Sequence, residues 1–356
     1  MRSECLFPLI GLLLLPLGCT DARTAQQAGR DPQLVAGESR VEEVNLLAMG
    51  DWGNGSERQK RTARAMADYA QSSGERFDGV LLCGDNFYVK LKGVDDPQWR
   101  TLFEDVYDKD ALDFPFFAAL GNHDYEGGKD VIELEYARQN PQSRFKMPSR
   151  WYRIDFPKKD PLVTVFVLDS CRDLLRRELW HAQNQWLRDQ LRARAALGKW
   201  VVCAAHHPMF SNGDHGDIGA LQKTWGAVME EHGVDFYVCG HDHDLQHLQI
   251  PKWDMSFILA GGGGAGVRPM RNDRRGPFSR SVYGFAHLRI TPEKTTVKFV
   301  DQKGSVIHAF ERDAEGRVRV IDTTGRDVAQ PRTVKSITRP DAATRPATKP
   351  ATGRAP

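Results

Sequence analysis

Residues 84–88 read Gly-Asp-Asn-Phe-Tyr and directly follow the apolar run Gly-Val-Leu-Leu-Cys at residues 79–83. Such a run between turn residues is typical of a buried parallel strand, and open α/β sheets bind ligands at the carboxyl ends of their strands. Asp85 has two carboxylate oxygens that can bridge two cations. Tyr88 can offer a phenolate only to a cation strong enough to displace a proton whose ordinary pKa is about 10. Taken alone, the stretch fits an ordinary turn with a core tyrosine slightly better, so the other strand ends decide its meaning.

Four further predicted strands end in polar residues of the same kind. Gly and then Asp or Asn close the strands at 44–49 and 114–120, and histidines follow those at 200–205 and 234–239. Glycine permits a sharp turn and a close backbone approach. Helices predicted at 56–72, 97–107, 178–196 and 218–231 complete a pattern of alternating strands and helices, which is typical of a parallel sheet.

The side chains at these ends form one candidate metal-binding set. They comprise carboxylates, a phenol, an amide and imidazoles, a mixture that suits a two-metal hydrolytic site. We expect the parallel sheet to bring them to one edge. The candidate ligands are Asp51, Asp85, Tyr88, Asn122, His206, His241 and His243.

The chain changes character beyond residue 255. Short β-like runs at 256–260, 282–290, 295–300, 305–311 and 317–321 predict an antiparallel sheet packed on the α/β half. Residues 126–160 lack a clear period and are expected to be irregular.

Composition places the chain among globular proteins. The 356 residues are 40% hydrophobic and 27% charged, with a net charge of +2 that is concentrated in the basic residues of 335–356. The near-neutral remainder has no broad basic face, so no nucleic-acid partner is expected. Cys83, Cys203 and Cys239 lie in apolar runs and are expected to be buried thiols.

Both termini are expected to lie outside the catalytic domain, which we place at 41–325. Residues 1–19 resemble a signal peptide, because one arginine precedes an apolar run too short to span a bilayer. Cys19 resembles the lipid-modified cysteine of a bacterial lipoprotein, so a lipid anchor and plain secretion both stay open. We therefore expect an exported protein with a linker at 20–40 and a disordered Pro/Ala/Thr/Arg-rich tail at 326–356.

Five sequence blocks in order resemble those of the purple acid phosphatases, specifically the small tartrate-resistant type of the calcineurin-like metallophosphoesterases. The resemblance covers about residues 44–312, and its blocks are 50–53, 84–88, 121–124, 205–206 and 240–243. It implies an α/β fold, a four-layer α/β/β/α sandwich with mixed sheets and an antiparallel C-terminal part.

The resemblance also implies a binuclear centre of Fe(III) and a divalent ion, which could be Fe, Zn or Mn. Asp51, Tyr88 and His243 would bind the ferric ion, and Asp85 would bridge the two ions. The divalent ion would be held by Asn122, His206 and His241.

The implied activity is that of an acid phosphatase, which hydrolyses phosphate monoesters by a metal-bound hydroxide. Small phosphoesters or phosphoproteins would be its substrates. His123 and His215 are the candidate acids for the leaving group, and Asp124 is expected to orient His123. His207 stands where relatives have an aromatic residue, so we set it aside as a ligand.

Three other functions stay open at this point. A phosphodiesterase or nuclease of the same superfamily would share the chemistry. A non-catalytic surface binding protein would keep the fold, although the complete ligand set argues against it. A redox activity of the iron could accompany hydrolysis.

Overall fold

The computed structural model describes residues 33–35, 42–271 and 275–321. The expected signal peptide with Cys19 and the expected tail at 326–356 lie outside these residues. Within the described part of the chain, every helix is too short or too polar to cross a membrane.

The described residues form two mixed eight-stranded sheets with helices between the strands. The strands in chain order are β1 (Gln33–Val35), β2 (Val44–Met49), β3 (Gly79–Cys83), β4 (Phe116–Ala119), β5 (Phe145–Lys146), β6 (Tyr152–Phe156), β7 (Val163–Val167), β8 (Trp200–Ala204), β9 (Phe236–Cys239), β10 (Leu245–Leu248), β11 (Ser256–Ala260), β12 (Phe278–Arg280), β13 (Gly284–Ile290), β14 (Lys294–Asp301), β15 (Val306–Asp313) and β16 (Val318–Ile321). The α-helices are α1 (Glu57–Ser72), α2 (Lys129–Gln139), α3 (Arg177–Arg192), α4 (Gly219–Leu221) and α5 (Ala227–Glu231).

The first sheet has the order β16-β15-β14-β13-β2-β3-β4-β5. Strands β2 to β5 are parallel, and β13 pairs antiparallel with β2. The second sheet has the order β1-β6-β7-β8-β9-β11-β10-β12, in which β7, β8, β9 and β11 are parallel neighbours. Strand β1 lies inside the expected linker and pairs with β6.

This topology confirms the mixed α/β class and corrects two expectations. The ligand-bearing strands belong to two sheets rather than one parallel sheet. The C-terminal meander of β13 to β16 does not form a separate sheet, because β13 extends the first sheet beside β2. Strand β14 alternates buried and half-buried residues over most of its length, the pattern of a sheet with one covered face.

The stretch 126–160 is more regular than its sequence predicts. It contains α2 and β6. Both elements bury charged side chains, so their sequences lack the apolar periodicity of a typical helix or strand. In β6, Arg153 Nε donates to Asp155 Oδ1 at 2.9 Å. In α2, Lys129 Nζ donates to the carbonyl of Phe87 at 2.6 Å and Glu133 accepts from Asn86 at 2.9 Å. Buried polar groups of this kind remove the apolar periodicity on which prediction depends.

The helix predicted at 97–107 is reduced to a π-helical turn at Arg100–Glu104. This segment packs on an aromatic cluster centred on Trp52, whose ring lies 5.3 Å from Phe87, 5.7 Å from Phe103 and 5.7 Å from Tyr107. Trp52 Nε1 also donates to Asn86 Oδ1 at 3.2 Å. The cluster therefore fixes the loop after β2 against the loop after β3, directly beneath the candidate site.

A buried histidine links the first sheet to α1. His287 Nε2 lies 3.0 Å from Asn45 Oδ1, and Nδ1 lies 2.8 Å from the hydroxyl of Tyr69. The Asn45 amide nitrogen donates to Glu43 and to the carbonyl of Arg76, so its oxygen accepts from His287 and Nδ1 accepts from Tyr69. Burial, with Lys298 and Arg289, lowers the pKa of His287 to about 3.

This pKa predicts a loss of stability in acid. The unfolded histidine binds a proton below about pH 6.5 while the folded one stays neutral, so His287 should lower the unfolding free energy by about 2 kcal/mol between pH 7 and pH 5. His287→Gln should flatten this dependence, measured as urea unfolding at both pH values. His181→Gln, at an exposed position on α3, is the control. An equal pH dependence in His287→Gln and the unmodified protein would contradict the assignment.

Candidate metal centre

The candidate ligands lie on loops at the carboxyl ends of five strands in the two sheets. Loops after β2, β3 and β4 in the first sheet face loops after β8 and β9 in the second. The first group carries Asp51, Asp85, Tyr88 and Asn122, and the second carries His206, His241 and His243. The structure thus brings all seven predicted side chains together.

One half of the centre is built around two buried carboxylates. Asp51, Asp85 and His243 form a group whose ligand atoms lie within 4.8 Å of one another. The hydroxyl of Tyr88 lies among them, 3.2 Å from Asp51 Oδ1, 3.1 Å from Asp85 Oδ2 and 3.2 Å from His243 Nε2. Four potential metal ligands therefore converge here: two carboxylates, a phenol and an imidazole.

The other half is rich in nitrogen. His206 Nε2 lies 3.1 Å from Asn122 Oδ1 and 3.1 Å from His241 Nδ1. Its partner on the first half is Asp85, whose Oδ1 lies 3.4 Å from His206 Nε2. One oxygen of Asp85 thus faces the phenol and the other faces the imidazoles. This is the arrangement that a carboxylate shared by two cations requires.

Hydrogen bonds outside the centre set the orientation of two imidazoles. His206 Nδ1 lies 2.9 Å from the carbonyl of Cys83, and His243 Nδ1 lies 2.7 Å from the carbonyl of Gly266. A carbonyl only accepts, so each Nδ1 carries the proton and leaves the lone pair of Nε2 facing inward. Metal-binding histidines are held in the same way.

Backbone strain is concentrated at the ligands. Asp51 (φ 61°), Asp85 (φ 49°) and His241 (φ 69°) are in the left-handed region, which costs non-glycine residues energy and clusters at functional sites. Backbone amides fix the strained carboxylates: His123 N donates to Asp85 Oδ1 at 2.9 Å, and His241 N donates to Asp51 Oδ2 at 2.9 Å. Each carboxylate is therefore held by a loop that carries another candidate ligand.

The chemistry of the donor set fits metal cations. In the described part of the chain, the ion-pair partners of Asp51 and Asp85 are histidines. Burial first, and then Asp51 and Asp85, raise the pKa of Tyr88, so without a cation the phenol keeps its proton. Buried carboxylates are costly without a compensating charge, and divalent or trivalent ions would supply it.

Two candidate acids lie on opposite sides of the centre. His123 Nε2 is 4.0 Å from Asp85 Oδ2, and its ring lies 4.6 Å from that of Tyr88. The expected partner Asp124 does not orient it. Asp124 is buried beneath, where it accepts from the backbone amides of Asn86 and Gly121 at 2.8 Å each. Glu126 Oε1 contacts His123 Nδ1 instead, at 2.9 Å.

The second candidate acid faces a cation rather than a carboxylate. The ring of His215 stacks on His241 with 4.0 Å between centroids, and Arg268 donates to its Nε2. Burial lowers the pKa of His215, Asp242 opposes this shift and Arg268 adds to it. Glu126 and Arg268 were both missed from sequence, because nothing in a linear pattern indicates which loop side chains reach a histidine.

His207, set aside as a ligand, lies beside the nitrogen-rich half. Its ring is 4.4 Å from that of His241, and His206, His207 and His241 form a second group with ligand atoms within 4.8 Å. Its Nδ1 is 2.9 Å from Ser170 Oγ. Burial first, and then His206 and His215, lower the pKa of His207, which keeps it neutral.

The cysteine side chains are not among the candidate ligands, although the backbone carbonyl of Cys83 accepts from His206 Nδ1 at 2.9 Å. Cys83, Cys171, Cys203 and Cys239 are all buried and free, as expected for the three in apolar runs.

Residues 44–245 match the family model of the calcineurin-like phosphoesterases, and the chain belongs to this family. It is 30% identical to mouse tartrate-resistant acid phosphatase type 5 over 77% of this chain and 91% of the mouse protein. It is 30% identical to the human protein of the same name over 73% of this chain and 88% of the human protein. It is 28% identical to purple acid phosphatase 4 of Arabidopsis thaliana over 75% of this chain and 83% of the plant protein. These relatives confirm the resemblance to purple acid phosphatases.

Solved structures share the fold. GAP50, described as the anchor in the inner membrane complex of Plasmodium, superposes with a TM-score of 0.65 at 24% identity over 75% of this chain and 88% of its own. Purple acid phosphatase PPD1 of yellow lupin seeds superposes with a TM-score of 0.60 at 15% identity, over 76% of this chain and 54% of the lupin chain.

The close contact between Gly84 and His206 yields a stability prediction. Gly84 has φ +78°, and a Cβ there would lie 2.6 Å from the Cβ of His206. Gly74 has φ +72° with nothing within 4 Å of its Cβ position. Gly84→Ala should therefore lower both metal content and unfolding temperature, whereas Gly74→Ala should carry only a backbone cost of about 1 kcal/mol. Equal effects of the two substitutions, measured by metal analysis and thermal unfolding, would contradict this role for Gly84.

Proposed function

We propose that this protein is a binuclear metallophosphatase that hydrolyses phosphate monoesters in mildly acidic conditions. The observation that carries the proposal is Asp85, whose two oxygens face two different sets of donors. The family relationship supports the same activity, because the relatives are named acid phosphatases.

In this proposal, Asp51, Tyr88 and His243 would hold a ferric ion, and Asp85 would bridge it to a second ion. Asn122, His206 and His241 would hold that second, divalent ion, for which Fe, Zn and Mn are candidates because the donor set suits several metals. A ferric ion is proposed on the side of Tyr88, since a phenol with so strongly raised a pKa gives up its proton only to a strong Lewis acid. When bound, the two ions supply charge neutralisation for the phosphate and acidify water at low pH.

The chain's own residues would position and protonate the substrate. His123 lies at the edge of the centre beside Asp85, with Glu126 on its other nitrogen. This position places an imidazole nitrogen of His123 where it can donate a proton to the leaving oxygen. His215 has a cation against its Nε2, so we assign the acid role to His123 first and a substrate-contacting role to His215.

A surface binding protein without activity is the alternative of a different class. The fold alone does not decide, because one structural neighbour is described as an anchor. What favours catalysis is the convergence of seven donors, three of them on strained backbone. Loss of catalysis would remove the need to maintain such strain.

Export remains a second proposal. It rests on the apolar leader at 1–19, and the mass of the mature N-terminus tests it: a lipid on Cys19 indicates an anchor, and an intact leader contradicts export.

The activity is tested with the protein loaded with iron and zinc. It should hydrolyse p-nitrophenyl phosphate near pH 5–6, and His123→Ala should lower kcat about 100-fold or more, the usual scale for lost acid catalysis. Glu126→Gln keeps the shape of the partner but not its charge, so it should cause a smaller loss. Steady-state kinetics with metal analysis of each variant give the result.

Three outcomes would count against this account. An unchanged kcat in His123→Ala would remove its role as acid. Faster hydrolysis of bis(p-nitrophenyl) phosphate than of the monoester would favour the phosphodiesterase alternative. No hydrolysis of a broad panel of phosphoesters by the metal-loaded protein would favour a binding protein.

A further inference from the structure

The glycine-rich segment 261–268, here called the glycine loop, is fixed to the metal centre. Gly263 N donates to the carbonyl of Gly50 at 3.0 Å, and Ala265 N donates to that of Asp51 at 2.9 Å. His243 Nδ1 donates to the carbonyl of Gly266 at 2.7 Å. The loop thus contacts the backbone of one candidate ligand and the imidazole of another. Residues at its end have a defined position relative to the centre.

Arg268 ends this loop, and its guanidinium contacts the candidate acid His215. It donates to His215 Nε2, and the ring of His215 in turn stacks on His241. The backbone of Arg268 is held from the other side by Ser281 Oγ, which donates to its carbonyl at 2.6 Å. The guanidinium therefore contacts the imidazole ring that stacks on the candidate ligand His241.

The charge of Arg268 is not compensated in the way that other arginines near the site are. Arg275 pairs with Asp217, and Arg150 pairs with Asp130. Among the residues that the structure describes, the hydrogen-bond acceptor of the Arg268 guanidinium is an imidazole rather than a carboxylate. An arginine beside a phosphate site without a carboxylate partner is suited to bind an anion, because its planar fork matches phosphate and carboxylate oxygens.

A second arginine lies on the same side of the site. A Cβ on Gly216, next to His215, would lie 2.6 Å from Arg271 Nη1, so this side chain covers the loop that carries His215. Arg271 N also donates to the carbonyl of Asn212 at 2.9 Å. Two arginines therefore lie on the His215 side, where Asp242 accepts from the backbone amide of His215 at 2.9 Å, whereas Glu126 and Asp85 face the imidazole of His123.

We propose that Arg268 is a substrate-binding residue that selects phosphomonoesters with a second phosphoryl group next to the scissile one. The proposal rests on the proposed phosphatase function and extends it to a specificity subsite. The guanidinium contacts the edge of the His215 ring rather than a candidate ligand, so it is placed for a neighbouring anionic group rather than for the phosphorus under attack. A substrate with a single phosphate leaves this guanidinium without a ligand.

The test compares inorganic pyrophosphate with p-nitrophenyl phosphate as substrates of the metal-loaded protein. Arg268→Ala should raise KM for pyrophosphate about tenfold or more, the scale of a lost charge-assisted hydrogen bond, and should raise KM for p-nitrophenyl phosphate by a clearly smaller factor, because with that substrate only the contact to His215 is lost. Arg268→Lys keeps the charge but not the fork and should lie between. Arg280→Ala is the control, because Arg280 is exposed and lies over the ring of Phe278.

A double substitution separates substrate contact from an effect through His215. If Arg268 contacts substrate, Arg268→Ala still raises KM for pyrophosphate in a His215→Ala background, and added guanidinium lowers it again. If the effect of Arg268→Ala disappears in that background, Arg268 only positions His215 and the proposal is overturned.

Failure of the proposal can be told from failure of the phosphatase function. A metal-loaded protein that hydrolyses both substrates, with equal KM values for pyrophosphate in Arg268→Ala, Arg268→Lys and the unmodified chain, overturns the subsite alone. Loss of the function itself would appear in the unmodified chain, as no hydrolysis of either substrate. In that case isothermal titration with pyrophosphate still decides: equal affinity in Arg268→Ala overturns the subsite, and weaker affinity supports it.

Discussion

The structure of the centre depends on the carboxylate of Asp85, whose two oxygens face different sets of ligand atoms. Asp85 lies at the end of β3 with a left-handed backbone, one oxygen toward the phenol of Tyr88 and the other toward the imidazole of His206. Tyr88 belongs to the same loop as Asp85, and His206 belongs to a loop of the other sheet. Asp85 therefore contacts donor groups from both sheets, and a cation on each side of it would compensate its buried charge.

Much of the surrounding architecture serves to hold that side chain. The amide of His123 fixes one of its oxygens, and Gly84 and Gly121 leave room that a Cβ would fill, at 2.6 Å from His206 and 2.2 Å from Asp85 respectively. Asp124 and Asn86 lie buried beneath and bind the backbones of both loops. Burial raises the pKa of Asp124 to about 6, and Asp85 adds to this shift. The polar residues of these motifs are thus divided between those that face the centre and those that support it.

The sequence predicted the donors well and their arrangement less well. All seven candidate ligands could be read from strand ends, because a glycine followed by a polar residue after a buried strand is a local pattern. The sequence did not predict that the ligands come from two sheets. Sheet membership depends on long-range pairing, as when β13 pairs with β2 across more than two hundred residues. Glu126 and Arg268 were missed because nothing in a linear pattern indicates which loop side chains reach a histidine. Strand β6 and helix α2 were missed because Arg153, Lys129 and Glu133 are buried in polar contacts that remove the apolar period.

Tyr88 is the residue from which we propose that the centre binds iron. The colour of the purified protein is therefore the most direct test of the account. The purified protein should contain about two metal ions per chain, including iron, and should show a visible tyrosinate-to-iron absorption band. Tyr88→Phe should lose the band, because the phenolate is then absent while the other donors remain. A colourless and active protein that contains no iron, or an unchanged band in Tyr88→Phe, would contradict the central claim.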